Sequence, residues 1–309
     1  MGTAILFPGQ GAQAPGMGAP WRGHQAWEVV ERAETALDQP LAWLLLEAPA
    51  EILARTREAQ LAIFLTSLVS WEAARDAFPE TVAMAGHSLG QLTALVASGA
   101  LSLEEGARLV AFRAEVTQAA ADRCPGRMAA LLGTSPDQAR EACAATPGGC
   151  WVANDNGAGQ VVVSGSPEGV DSACAAARDL GVRRVVMLNV CGAFHTPLMA
   201  EAMTGFAAPL QAACFAEPEK PVVSNADARP YRDADGWPLR LAQHLVSPVQ
   251  WHQSMQTMVA LGADELVEVG PGKVLTGLVK RALPDVPVRS VSSPADLPSL
   301  VSADGALAG

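Results

Sequence analysis

The sequence predicts an α/β protein in which a large α/β unit is interrupted by a small α+β one. Short apolar runs alternate with longer amphipathic stretches, and 28 Gly and 22 Pro punctuate the boundaries evenly along 309 residues. Hydrophobic residues make up 50% and charged residues only 17%, enough for a large core and too little charge for a disordered chain. The pattern also changes in the middle, from large α/β elements to a tight alternation of short strands and two helices. The expected division is 1–125 with 192–309 for the large unit and 126–191 for the small one.

Each element follows from local chemistry. Ala4–Phe7 is a short buried strand stopped by Pro8. Ala26–Leu37, Glu58–Phe78 and Leu103–Asp122 carry helical patterning, and Ser102 with Glu105 fits a capping box for the last of these. Val82–Ala85 reads as a strand that turns at Gly86, and Gln91–Ser98 as the helix that follows. In the middle, Arg127–Leu132, Gln160–Ser164 and Arg184–Val190 read as strands, with one more near Cys150–Ala153; Asp137–Ala145 and Pro167–Leu180 read as helices. Glu265–Val269 is the last clear strand and Leu275–Ala282 a helix, while the segment from Ser292 onward is expected to pack loosely.

Composition excludes several functions. The net charge of −11 opposes sequence-independent nucleic-acid binding and repels anionic lipid, so neither nucleic acid nor membrane is an expected partner. No apolar run approaches the ~18 residues of a membrane helix, and the first residues lack the basic start of a signal peptide. Cys124, Cys143, Cys150, Cys174, Cys191 and Cys214 show no metal-type spacing and read as reduced thiols of a cytoplasmic protein.

The strongest local signal is Gly86-His87-Ser88-Leu89-Gly90, a G-x-S-x-G turn between a strand and a helix. A chain that turns this sharply leaves no room for a Cβ two residues either side of the serine. The Ser88 hydroxyl then projects outward, and the Leu89 N–H at the helix start can stabilise an oxyanion. Such a serine needs a base. His195, His244 and His252 are candidates, and His195 stands where the small unit returns to the large one, a natural cleft edge. Gly9-Gln10-Gly11 after the first strand can bring the Gln10 N–H close to a ligand. Its third glycine is missing for a dinucleotide fingerprint, and Gly270-Pro271-Gly272-Lys273 does not complete a phosphate loop.

One charge sits on the wrong face. Arg113 shares the apolar stripe of Leu109, Val110 and Val116, while Arg108 and Glu115 lie on the polar side. A guanidinium there needs an internal carboxylate, a route to water, or a ligand carboxylate to grip in bidentate fashion.

Together these residues resemble the malonyl-CoA:acyl carrier protein transacylases, including the acyltransferases of polyketide synthases. The resemblance rests on Phe7–Gln13, Gly86–Gly90, Leu109–Arg113, Ala193–His195, Ser247–Trp251 and Glu268–Arg281, in the family's order. It implies an α/β-hydrolase-like large domain with an inserted ferredoxin-like small domain. It also implies Ser88 as nucleophile, His195 as base oriented by the backbone carbonyl of Gln250, and the N–H groups of Gln10 and Leu89 as oxyanion hole. Arg113 would hold the acyl carboxylate, with Gln60, Phe194 and Asn154 or Asn156 near the acyl group. Phe194 and Leu89 resemble malonyl-selective members, and Phe194 would fill the space of an α-methyl branch. Gln91, Gly192 and Ser247 depart from the family's usual residues. The implied partners are a coenzyme A thioester and an acyl carrier protein, with no metal or other cofactor, in a monomer. Arg183, Arg184, Lys273, Lys280 and Arg281 could form a carrier-docking patch or ordinary solvated surface. An acyl hydrolase that clears stalled carrier proteins would share Ser88 and His195 without needing Arg113; a non-catalytic scaffold would need neither.

Overall fold

The structure is a computed structural model that describes residues 2–146, 148–190 and 192–301. Cys191, expected as a reduced thiol, and the tail beyond residue 301 lie outside the described residues. Along the chain the strands are β1 (Thr3–Phe7), β2 (Thr81–Gly86), β3 (Arg127–Leu132), β4 (Cys150–Asp155), β5 (Gln160–Gly165), β6 (Arg184–Met187), β7 (Val222–Val223), β8 (Pro230–Tyr231), β9 (Glu265–Val269) and β10 (Val288–Val291).

They form two sheets. The larger has the order β10-β9-β1-β2-β7-β8, parallel except for β8, which runs antiparallel to β7. β1 is buried along its whole length, as expected for a parallel strand covered on both faces. The chain steps from β1 to β2 and β7 on one side, then returns to β9 and β10 on the other, so strand order reverses beside β1. Ligands of open parallel sheets sit beyond the carboxyl ends of strands at such a reversal. Here those ends are Phe7 and Gly86, paired with each other in the ladder. The helix Thr56–Ala74 runs through the core, apolar almost all round, with Leu61, Phe64, Leu65 and Leu68 in the main cluster.

The smaller sheet has the order β4-β5-β3-β6, with every pair antiparallel. With the helices Pro136–Ala144 and Pro167–Asp179 its chain order is βαββαβ, the ferredoxin-like arrangement. Leu131, Val161, Val163, Val170 and Ala173 fill its core. Ser135 and Ser166 cap the two helices, Ser135 through a full capping box with Gln138. β4 is tied to the larger unit by backbone bonds: Val249 N–H donates to the Ala153 carbonyl at 2.8 Å, and Asp155 N–H donates to the Val249 carbonyl at 2.9 Å. The two linking segments also meet closely, since a Cβ at Gly126 would lie 2.4 Å from the Ala193 nitrogen.

Several expectations are corrected in detail. Ala26–Leu37 begins as a 3-10 turn, Gln25–Trp27, before the α-helix Glu28–Leu37. Ser102 caps Leu103–Arg123, but the box is half made: Ser102 Oγ accepts from the Glu105 N–H, while Glu105 Oε1 accepts from the Cys214 N–H. The segment after Ser292 is not loose as far as residue 301. Leu300 is buried in the main core, and Trp21 Nε1 donates to the Ser292 carbonyl. Cys124, Cys143, Cys150, Cys174 and Cys214 are free thiols, with Cys143 and Cys150 in contact at 3.6 Å. Among the described residues, no helix is long and apolar enough to cross a membrane.

Candidate active site

The elbow after β2 is forced by its glycines. A Cβ at Gly86 would lie 1.8 Å from the Gly90 carbonyl oxygen, and one at Gly90 would lie 2.2 Å from that of Phe7. No side chain fits either gap. Ser88 itself has φ +53°, a left-handed conformation that costs roughly 1–3 kcal/mol for such a residue. Asn225, just beyond β7, holds it there: its Oδ1 accepts from the Ser88 N–H at 2.7 Å and its Nδ2 donates to the Gly86 carbonyl at 2.8 Å. The Asn225 backbone is fixed too, through Gln91 Oε1 at 2.7 Å and the Gln250 N–H at 2.7 Å. Gln91, the departure after the elbow, is therefore a buried strut for Asn225. Asn225 gave no sequence signal, because it reaches the elbow only through the pairing of β7 with β2.

His195 is the partner of Ser88. Its Nε2 lies 2.8 Å from Ser88 Oγ, and its Nδ1 donates to the carbonyl of His244 at 3.0 Å. That second bond fixes the tautomer: with the proton on Nδ1, Nε2 is free to accept the serine proton. The carbonyl is not that of Gln250, as the resemblance implied. The Gln250 carbonyl is occupied by Ser254, whose N–H and hydroxyl both donate to it in the first turn of the helix Trp251–Ala260. The Ser247 carbonyl also faces the His195 ring. His195 has φ +62°, so both members of the pair sit in left-handed backbone. His252 instead packs against Gly157, outside this cleft.

Arg113 reaches the same point from the helix Leu103–Arg123. It is buried at 6% exposure, its Nη1 donates to Gln60 Oε1 at 2.5 Å, and its Nη2 donates to Ser88 Oγ at 3.1 Å. Among the described residues no Asp or Glu forms an ion pair with it. Gln60 is fully buried, and its Nε2 has no partner among the described residues. One arm of this buried fork thus points at the serine and the other at Gln60, with no anion on either among the described residues.

The electrostatics follow from this geometry. Burial lowers the Arg113 guanidinium to about 10. Burial, and then the nearby Arg113 charge, push His195 down to about 3, against the weaker pull of the His244 carbonyl. His244 and His87 are also held low by burial. All three imidazoles are therefore neutral at pH 7, and His195 is a base rather than a cation.

A cavity of about 90 Å3 opens over the pair, lined by Gln10, Arg113, Met128, Asn154, Leu188, Val190, Phe194 and Met199. That is far smaller than the ~300–1,000 Å3 of sites enclosing a drug-sized ligand, and suits a short acyl group. A larger hollow of about 470 Å3, around Trp71 and Phe78, opens at the other end of β2 near Thr81 and contains none of these groups. Gly9 presses on the elbow, where a Cβ would lie 2.3 Å from the His87 carbonyl, so the following Gln10 reaches the cavity. Asn154 lines the cavity with its buried Oδ1 unpartnered among the described residues. Asn156 does not line it; its Oδ1 accepts from Nε2 of His87, a lining residue, at 3.0 Å. The Leu89 side chain is also absent from the cavity. It is buried in the main core, so only its N–H, at the start of the helix Gly90–Ala97, is available to the site. Arg183, Arg184, Lys273, Lys280 and Arg281 are all exposed.

An elbow serine bonded to a neutral, oriented imidazole in an α/β fold defines a class: enzymes that move an acyl group through a serine ester. The chain belongs to the acyl transferase domain family, whose family model matches residues 5–301. Among its relatives is the malonyl CoA-acyl carrier protein transacylase of Salmonella typhimurium, 36% identical over 299 residues, which are 95% of this chain and 97% of that protein. The crystal structure of the acyl-carrier-protein S-malonyltransferase of Bartonella henselae superposes with a TM-score of 0.94 at 34% identity, covering 99% of this chain and 100% of the other. A type II polyketide synthase carrier protein bound to its malonyl-transacylase is also similar, at TM-score 0.93 and 31% identity over 98% and 100%.

Proposed function

We propose that this protein moves a malonyl group from coenzyme A to the phosphopantetheine thiol of an acyl carrier protein, through an ester on Ser88. The observation that carries this reading is Arg113, a buried guanidinium without a carboxylate among the described residues, 3.1 Å from the serine oxygen. A dicarboxylic acyl group supplies the missing anion.

Ser88 Oγ attacks the thioester carbonyl carbon while its proton passes to His195 Nε2. The N–H groups of Gln10 and Leu89 receive the developing oxyanion, the C–S bond breaks, and His195 returns the proton to the departing sulfur. The carrier thiol then repeats the sequence in reverse on the serine ester. Arg113, steadied by Gln60, holds the distal carboxylate throughout, and Phe194 closes the side where an α-methyl branch would sit. The chemistry uses only side chains and backbone groups. We place the enzyme in the cytoplasm as a monomer that meets its carrier protein there. The malonyl-transacylase relatives and the similar carrier complex support the malonyl transfer and the carrier partner.

Intact-protein mass spectrometry after brief exposure to a panel of acyl-CoAs tests it. A malonyl adduct should form, disappear in Ser88→Ala, and be discharged by a holo carrier protein. Adducts from neutral acyl groups alone, or free acid without transfer, would favour the hydrolase instead.

A further inference from the structure

In the resting site Arg113 does more than wait for a carboxylate. Its Nη2 donates to Ser88 Oγ at 3.1 Å, on the same oxygen that His195 Nε2 engages at 2.8 Å. Gln60 takes Nη1, and no carboxylate among the described residues competes for Nη2. The nucleophilic oxygen is therefore the acceptor that satisfies a buried cation. The hydroxyl oxygen has two acceptor lone pairs and this bond occupies one of them, so an acyl carbon must compete with a buried guanidinium for the nucleophile. The same charge faces the base. Arg113 and His87 are the titratable groups whose charge acts to lower the basicity of His195, and the His244 ring lies beside it with centroids 4.8 Å apart. The carbonyls of His244 and Ser247 act the other way.

An acyl group with its own carboxylate would undo both effects together. It would take the guanidinium from Ser88 Oγ and compensate the charge that faces His195. We propose that Arg113 is a latch on the nucleophile, holding Ser88 in the resting site and releasing it only to an acyl group that carries a carboxylate. Selection for dicarboxylic acyl groups then operates in the bond-forming step as well as in binding. This inference rests on the malonyl-transfer reading.

The latch can be opened in two pieces. An acetyl group plus a formate ion supplies the parts of a malonyl group without the bond between them. In acetylation by acetyl-CoA, the Ser88 Oγ–carbonyl bond forms and the C–S bond breaks, while the serine proton passes through His195 to the CoA sulfur. The rate of Ser88 acetylation in the wild-type enzyme is measured against formate, with chloride at equal ionic strength as control. Relief of one pKa unit of bias would give a saturable rise of about tenfold. Arg113→Gln should not respond to formate. A flat or falling wild-type rate with formate, or an Arg113→Gln variant still accelerated by it, overturns the latch. The wild-type arm decides even if the variant does not fold. Loss of malonylation by malonyl-CoA in wild type would instead overturn the transfer reading, so the two failures are distinguishable.

Discussion

Asn225 uses every polar group it has. Its side chain bonds Ser88 and Gly86, and its backbone bonds Gln91 and Gln250. Asn225→Ala leaves a buried N–H and a carbonyl at the elbow unpaired, at about 1–3 kcal/mol for each. The expected outcome is a lower urea midpoint together with slower Ser88 acylation. Asn225→Asp keeps the acceptor for Ser88 but loses the donor for Gly86, so it should fall between. His195 gives a second expectation. Its imidazole stays neutral down to about pH 3 in the free enzyme, so kcat/KM should show no acid limb near the ordinary histidine value of 6.5. A limb at pH 6–7 in stopped-flow acylation would show that the guanidinium does not face the ring as described. At this scale the sequence was partly legible. Ser88 stood out because its turn tolerates only glycine at Gly86 and Gly90, and Arg113 because a charge on an apolar stripe breaks a helical pattern. Asn225 and the His244 carbonyl did not. One acts through the pairing of two distant strands, and a carbonyl exists at every position and carries no residue signature.

The helix Leu103–Arg123 delivers Arg113 to the serine, and its start is set by Ser102, whose Oγ accepts from the Glu105 N–H. Ser102→Ala should cost about 0.5–2 kcal/mol in chemical denaturation. Because Arg113 lies well inside the helix, malonyl transfer at 25 °C should change little. At the elbow the balance is opposite. Gly90→Ala sets a Cβ against the Phe7 carbonyl, so β1 and the helix Gly90–Ala97 must separate and acylation should drop more steeply than stability. Strands with a short continuous apolar run bounded by turn residues match their true bounds, such as β3 and β9. The helices Ala200–Ala212, Trp237–His244 and Trp251–Ala260 were not singled out: the first carries Pro209 inside it, the second only eight residues. β7 and β8, two residues each, are too short to show any alternation. Their places are set by the sheet, not by local pattern.

The whole molecule buries neutral imidazoles in one cluster. His195 and His244 are depressed in the fold, so below the unfolded value near 6.5 the unfolded chain binds protons that the folded one refuses. Stability is therefore full above that value and falls as pH drops through it, by up to about 1.4 kcal/mol per pH unit for each ring. Urea midpoints between pH 7.5 and 4.5 should decline, and His244→Gln should flatten the decline by one group. A slope unchanged by that variant would mean that His244 already carries a proton in the fold. The change of pattern in mid-chain was legible because an antiparallel sheet backed by two helices has shorter repeats than a parallel one. The backbone bonds from Val249 to β4 were not, for they join residues far apart in the chain.

That seam has a consequence for how the pocket can change. One wall, with Gln10, Ser88 and Arg113, belongs to the parallel sheet and its helices, while Met128 and Asn154 come from the antiparallel one. The room left for an acyl group is thus set by the angle at a joint, not only by the bulk of the residues around it. At that joint Gly126 packs against Ala193 and Val249 bonds to β4, and neither residue lines the pocket. A directed-evolution library that randomised only the lining would leave the joint untouched, and acceptance of branched acyl groups should emerge from the joint as well as from Phe194.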